Sequence, residues 1–351
     1  MKKKKKEAAL NYSAEVKRLK QEGPDRLYLL WGEEDYLRDS FLKELQNLCF
    51  PEGEDSFQHR IFKAEQPDAK ELRYAVDTLP FFSEHSLIEL WEVDYSRTQD
   101  EILPVLEDIP EYCTVAFVLR QDEEVNGKSR LVRFLREHGR EIQFTVQDQN
   151  ALLRWVSRRF AYYGKGIEIE AATRLLYLSG GQMKSLIPEI EKIAAYARGE
   201  KVTAADVNAV ANRVAESSVF DLTDAISEQR FQYASGILTD LLEQRDSSVP
   251  AILSLLSLQF RRLYLAAGAR DIRELMTLSG LKYDFLARRL INSARGFGQG
   301  QLRHAMLLCA EADYRIKSES TDEKTILKET LMRIILEAEA EKERKRSAGS
   351  R

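Results

Sequence analysis

Residues 178–182 read Leu-Ser-Gly-Gly-Gln, the five-residue signature with which ABC-type ATPases touch a bound nucleotide. That chemistry needs a second loop that already holds the phosphates, spaced G-x-x-x-x-G-K-[ST]. Its glycines let backbone N–H groups approach, its lysine neutralises charge and its hydroxyl holds magnesium. The stretch nearest that pattern is GEEDYLRD at 32–39. Gly32 fills the first position, but Leu37 replaces the second glycine, Arg38 the lysine and Asp39 the hydroxyl. Glu33, Glu34 and Asp35 put carboxylates where phosphate oxygens would sit, and like charges in a partly desolvated pocket repel. Gly127-Lys128 and Gly164-Lys165-Gly166 lack the long glycine-bounded loop and read as turns. Gly180-Gly181 then reads as punctuation that ends one helix and lets the next begin. No nucleotide-binding residue is expected.

Other chemistry finds little support. The four histidines, His59, His85, His138 and His304, stand apart, with no HExxH, no GxSxG and no paired cysteines. Cys49, Cys113 and Cys309 are too scattered for a disulfide framework or a zinc site. Asp122-Glu123-Glu124 follows a buried strand, where an acid pair can hold a metal, but it has no ligand partner and reads as a solvated charge run. The expectation is no catalytic residue, no metal and no cofactor.

The surrounding elements alternate. Strand-like runs at 27–31, 56–62, 86–93, 114–120 and 141–146 are interleaved with helical periodicity at 36–48, 69–79, 100–109 and 129–139. Short connections between them predict a parallel-sheet α/β domain over 25–146. From 147 the strands disappear. Helices read at 149–163, 170–178, 183–198 and 203–214, the last opened by a Thr203-x-x-Asp206 capping pattern. This predicts a small helical domain over 147–213, a hinge at 211–222, and an all-α domain of long amphipathic helices over 214–340 with breaks near 246–250, 278–282 and 296–300. Residues 1–24 read as a charged extension, one exposed helix closed by Gly23-Pro24; 341–351 read as a charged tail with nothing to bury.

The 351 residues are 44% hydrophobic and 31% charged, enough to bury cores and too regular for disorder. The Lys-rich start lacks the apolar segment of a signal peptide, and no apolar run approaches the ~20 residues of a membrane span. No membrane contact is expected, and the cytoplasm is the expected location. A net charge of −4 gives no global field toward nucleic acid. The local exception lies between 255 and 303, where Arg261, Arg262, Arg270, Arg273, Lys282, Arg288, Arg289, Arg295 and Arg303 face three acids. Arg261, Arg262, Arg288 and Arg289 are the candidates for contact with phosphates or acidic neighbours; the alternative is a helix surface that balances acidic faces elsewhere.

One further stretch has a functional reading of its own. In DTLPFFSEHSLIEL, Pro80 halts a helix, and Phe81-Phe82 fall in a short connection before a strand. Adjacent side chains point in different directions, so one buried face rarely takes both rings. An exposed apolar pair is a candidate anchor for a partner, whereas two rings folded under the sheet edge would be plain core.

An α/β domain followed by a small helical one is the layout of AAA+ ATPases, and the order of parts resembles a more particular family, the delta subunit of bacterial DNA polymerase III. The resemblance runs from Asp25 to about Glu337. It rests on YLLWGEEDYLRD, EIEKIAAYA, VTAADVNAVANRVAESSVFDLTDAI, LLSLQFRRLY, ADYRIKS and LKETLMRII. It implies an AAA+-like domain without a working phosphate loop, a small helical domain and a C-terminal helical collar domain. It also implies a subunit that binds and helps open the sliding clamp for loading onto primed DNA without hydrolysing ATP. The implied partners are the clamp, the loader ATPase subunits and a delta-prime-like subunit in a pentameric hetero-oligomer, with DNA met through the complex. The family's clamp wedge is a Leu-Phe-like pair, and the positions that match are Phe81 and Phe82, flanked by Leu79; Phe for Leu at the first position, and His85 where the family often has Arg, are departures. The alternatives are an active AAA+ or ABC-like ATPase, and a DNA-binding scaffold unrelated to clamps.

Overall fold

The computed structural model describes residues 12–51, 53, 58–81, 83–120, 125, 127–243 and 248–349. Phe82, the Asp122-Glu123-Glu124 run and the Lys-rich start lie outside the described residues. The chain divides into two compact units, Met1–Gln147 and Asp148–Arg351.

The first unit runs α1 (Tyr12–Glu22), β1 (Leu27–Trp31), α2 (Asp35–Cys49), β2 (His59–Lys63), α3 (Ala69–Asp77), β3 (Ser86–Trp91), α4 (Gln99–Leu106), β4 (Cys113–Val118), α5 (Arg130–His138) and β5 (Arg140–Gln143). The strands form one sheet in the order β2-β3-β4-β1-β5, and every pairing is parallel. Parallel sheets are covered on both faces and their strands read as continuous apolar runs; CTVAFV of β4 is buried throughout for that reason. Leu72, Ile88, Ile102, Phe117 and Leu131 bring α3, β3, α4, β4 and α5 into one core. This is the parallel-sheet α/β domain that the alternating runs predict.

The charged extension differs from expectation at its end. Tyr12, Glu15, Val16 and Leu19 recur at i, i+3, i+4 and i+7, one face of a helix, and Leu19 is fully buried. Glu15 accepts from Arg140 at 2.6 Å, and Lys20 pairs with Glu44 at 2.7 Å. From Tyr12 onward the helix is therefore packed on the first unit, not exposed.

The second unit runs α6 (Gln149–Tyr162), β6 (Gly166–Ile167), α7 (Ile169–Ser179), α8 (Met183–Tyr196), β7 (Lys201–Val202) and α9 (Ala204–Val210). It continues through α10 (Ala215–Ser227), α11 (Phe231–Glu243), α12 (Val249–Gly268), α13 (Ile272–Ser279), α14 (Asp284–Ala294), α15 (Gln299–Ser318) and α16 (Glu323–Gly349). The expected capping box closes at α9: Asp206 accepts from the Thr203 N–H at 2.9 Å and the Thr203 hydroxyl accepts from the Asp206 N–H at 3.4 Å. Strands do not vanish after 147, because β6 and β7 pair in parallel, though two residues each are too few to show a period. The segment expected as a hinge is mostly α10, and it is tied back to α7: the Val214 N–H donates to Leu178 O at 2.9 Å and the Tyr177 hydroxyl to Ser217 O at 2.7 Å. Helix α12 buries Ile252, Leu253, Leu256, Phe260 and Leu263 at the centre of the later helices. Helix α16 runs on to Gly349, through residues that read as a tail, because nothing in EKERKRSAG breaks a helix before the glycine.

Candidate functional site

Two places in the first unit hold residues that the sequence singles out, at opposite ends of its parallel sheet. The first is the turn from β1 into α2, at the C-terminal end of β1. Gly32 has φ +131°, and a Cβ there would lie 2.3 Å from the Phe144 carbonyl oxygen, so only glycine fits. The Glu34 N–H, which a phosphate cradle would leave open, donates to that same carbonyl at 3.0 Å. Leu37 is core, 5% exposed.

Arg38 occupies the lysine position and is also 5% exposed. Its guanidinium turns inward across the C-terminal end of the sheet. Nη1 donates to Leu119 O at 2.7 Å and lies 2.7 Å from Asp35 Oδ1, Nη2 donates to Asp39 Oδ1 at 3.2 Å, and the group sits 5.3 Å from the Trp91 ring centroid. The charge that would meet a phosphate is thus engaged by a carbonyl, two carboxylates and an aromatic face. Glu34 is buried while Glu33 is exposed, which keeps further negative charge around the turn.

The second place is the connection from α3 to β3, at the N-terminal end of β3. Asp68 caps α3, accepting from the Lys70 and Glu71 N–H groups at 2.7 and 3.3 Å. Arg73 fastens the helix to Pro104 O at 2.6 Å. The helix stops at Thr78, whose hydroxyl donates to Tyr74 O at 2.6 Å, because the residue before Pro80 is steered out of the helical region. On the far side the Ser83 hydroxyl bonds Gln58 and the His85 carbonyl. Between these anchors Leu79 is 71% exposed and Phe81 86% exposed. Phe81 is therefore not folded under the sheet; Phe82 lies outside the described residues.

The remaining candidates sit in the second unit. Gly180 and Gly181 both take left-handed φ, 73° and 75°, and Gly180 ends α7. The Tyr283 hydroxyl donates to Gly181 O at 3.1 Å, so this loop is packed against α14. The arginines divide. Arg289 bonds Asp221 and Asp224 at 2.5 Å each and lies 4.4 Å from the Tyr177 ring centroid. Arg262 bonds Glu216 at 2.7 Å. Both serve internal carboxylates, and burial lifts Asp224 above the usual carboxylate range although Arg289 and Ser293 pull it down. Arg261 and Arg288 are exposed. Sequence reasoning missed this Tyr177-Asp221-Arg289 cluster, since its members come from three separate helices and no local spacing joins them.

Three of the four histidines meet partners within the fold. His59 meets Glu89 at 2.9 Å inside the sheet, His138 stacks on Phe134 at 4.3 Å, and His304 bonds Glu337. All three cysteines are buried and free. Among the described residues no group of three or more His, Cys, Asp or Glu is placed to hold a metal, and no helix is long and apolar enough to cross a membrane.

Family models match on both sides of the chain: the DNA polymerase III delta subunit over residues 28–145, and the C-terminal domain of that subunit over 216–334. The chain belongs to the DNA polymerase III delta subunit family. Among curated relatives it is 23% identical over 334 residues to DNA polymerase III subunit delta of Bacillus subtilis, covering 91% of this chain and 95% of that one. It is 22% identical over 307 residues to a probable DNA polymerase III subunit delta of Aquifex aeolicus, covering 82% and 85%. The fold is similar to that of a Bacillus subtilis DNA clamp loader delta protein, with TM-score 0.62, 20% identity, and coverage of 93% and 99%. Membership in this family places the chain among the DNA polymerase III delta subunits of DNA replication.

Proposed function

We propose that this delta-family chain is the subunit that grips the sliding clamp and helps open it, while other loader subunits hydrolyse ATP. The observation that carries the reading is the α3–β3 loop, anchored at Thr78 and Ser83 and presenting Leu79 and Phe81 to solvent. Exposing a large apolar side chain to water has a cost that binding a partner recovers, and an aromatic anchor is the usual centre of a protein interface. The inward-turned Arg38 supports the absence of ATP chemistry, because a guanidinium already hydrogen-bonded to Leu119 O and ion-paired with Asp35 would have to give up both to meet a phosphate.

The long helices after Ala215 are the part that meets the delta-prime-like and ATPase subunits of a pentameric loader in the cytoplasm, and Arg261 and Arg288 face those neighbours or DNA held within the complex. Residues 147–213 and 214–340 are the small helical and collar domains of this reading. A pull-down of the tagged full chain from cell extract tests it: a ring-shaped clamp and loader ATPases are expected, and recovery of neither overturns it.

A further inference from the structure

Helix α6, QNALLRWVSRRFAY, holds Arg154, Arg158 and Arg159 and no acidic residue. It lies between the two segments matched by the family models. Its inner face is Leu152, Val156 and Phe160, which leaves Arg154, Arg158 and Tyr162 in a row at four-residue spacing on the outer face. At 1.5 Å per residue they follow each other at about 6 Å. Arg154 and Arg158 are exposed, and Tyr162 is 77% exposed.

The tyrosine is exposed yet held. The Arg159 guanidinium lies 5.3 Å from the Tyr162 ring centroid and 5.8 Å from that of Tyr163, and the two rings meet edge to face at 5.3 Å. None of the three arginines is in an ion pair or donates a hydrogen bond among the described residues, whereas Arg136, Arg140, Arg213 and Arg333 each meet a carboxylate. Of the acids on α8, Glu189 is already taken by Lys192 and the Asn212 N–H. Lys165, just beyond the helix, donates to Ala197 O and Gly199 O and adds a further positive charge at the same end.

We propose that the outer face of α6 binds single-stranded DNA, with Arg154 and Arg158 on successive phosphates and Tyr162 stacked on an unpaired base. Unpaired arginines in an acid-free row are what a phosphodiester backbone requires, since each contact gains by releasing a condensed counterion. The ring decides for a single strand: a duplex hides its base faces, while unpaired bases stack on a preset aromatic regardless of sequence. The surface is independent of the Phe81 loop and is tested on the chain alone.

Fluorescence anisotropy of the purified full chain with labelled oligothymidylate, and with a hairpin duplex of equal phosphate number, tests it over a salt titration. The wild-type chain is expected to prefer the oligothymidylate. The double change Arg154→Ala, Arg158→Ala should weaken binding at least ~10-fold at low salt and flatten the log–log salt slope by about 1.4, at about 0.7 for each phosphate no longer neutralised. Arg154→Lys with Arg158→Lys should keep the slope, and Tyr162→Ala should weaken oligothymidylate binding without changing it. Melting curves check that each variant is folded. No wild-type binding, an unchanged slope in the alanine double variant, or duplex preference with no effect of Tyr162→Ala each overturns the proposal.

Discussion

The Arg38 guanidinium donates to the Leu119 carbonyl at 2.7 Å, across the top of the sheet from α2 to the end of β4. That bond, with Asp35 at 2.7 Å on the same nitrogen, shuts the turn after β1. Calorimetry with magnesium is expected to show no micromolar affinity for ATP, and such affinity would refute the assignment. Arg38→Ala should lower stability by about 1–3 kcal/mol in urea denaturation, because it strands a buried carbonyl. An Arg38→Ala chain as stable as wild type would mean that the bond contributes nothing.

The two glycines of the Ser-Gly-Gly-Gln loop should respond unequally. A Cβ at Gly180 meets only Val214 Cγ2 at 3.5 Å, so Gly180→Ala is limited to left-handed strain of about 1 kcal/mol. A Cβ at Gly181 falls 2.6 Å from the Tyr283 ring, which is 5% exposed and cannot swing away freely. Gly181→Ala should cost at least ~1 kcal/mol more, in the range of overpacked cores. Equal midpoints and slopes in paired denaturation curves would contradict the packing account.

Acid should loosen the first unit through Glu89. This carboxylate is 2% exposed and is met by His59 at 2.9 Å, Gln46 at 2.9 Å and Trp91 at 2.8 Å. Burial alone would raise its pKa, but hydrogen bonds from His59, Trp91 and Gln46 outweigh it and hold the group below the usual carboxylate range. A depressed folded pKa contributes stability that is complete above the unfolded value of about 4.3 and is lost as pH falls through the lower folded value. Glu89→Gln should therefore be less stable than wild type near neutrality and show a shallower loss below about pH 4. Parallel acid limbs for the two proteins would contradict it.

What is legible in the sequence is what local pattern encodes. The strands of the first unit and the Thr203 cap rest on spacing within a few residues, and so does the departure of residues 32–39 from the phosphate-loop pattern. The burial of α1 is hidden because lysines and glutamates outnumber Tyr12, Val16 and Leu19, and it takes Arg140, from β5, to show which side Glu15 faces. The 211–222 stretch resembles a hinge because its bonds to Leu178 and Tyr177 span tens of residues. Leu79 and Phe81 stand out through a proline and a pair of rings, but their exposure depends on anchors at Thr78 and Ser83 that side-chain types alone do not announce.

The four arginines of α12 and α14 should separate by function. Arg289 bonds two carboxylates, so Arg289→Ala leaves Asp221 and Asp224 facing each other and should lower the melting temperature by several degrees, corresponding to about 2–4 kcal/mol. Arg261→Ala and Arg288→Ala remove exposed charges and should leave melting within about 1 °C of wild type, while weakening assembly with loader subunits or primed DNA. Size-exclusion profiles and melting curves on the same proteins decide it. Normal assembly by the Arg261, Arg288 double variant would remove both from the interface.

The exposed loop itself should respond in binding and not in folding. If Phe81 and Phe82 enter the clamp, each ring leaves water on binding, and burial alone contributes about 1.5–3 kcal/mol. Since 1.4 kcal/mol is tenfold in affinity, Phe81→Ala should weaken clamp binding at least ~10-fold, and the double change Phe81→Ala, Phe82→Ala at least ~100-fold. Leu79→Ala should have a smaller effect, as expected of a flanking contact. Folding should be little affected by Phe81→Ala, because a ring that is 86% exposed gives up almost nothing when truncated. Core rings behave in the opposite way, with about 3–5 kcal/mol of stability lost on truncation. Surface plasmon resonance against the clamp and a thermal melt, run on the same variant, separate the two outcomes. Intact affinity with a collapsed melting temperature would remove Phe81 from the interface, whereas weakened affinity at an unchanged melting temperature places the grip on the clamp at this loop.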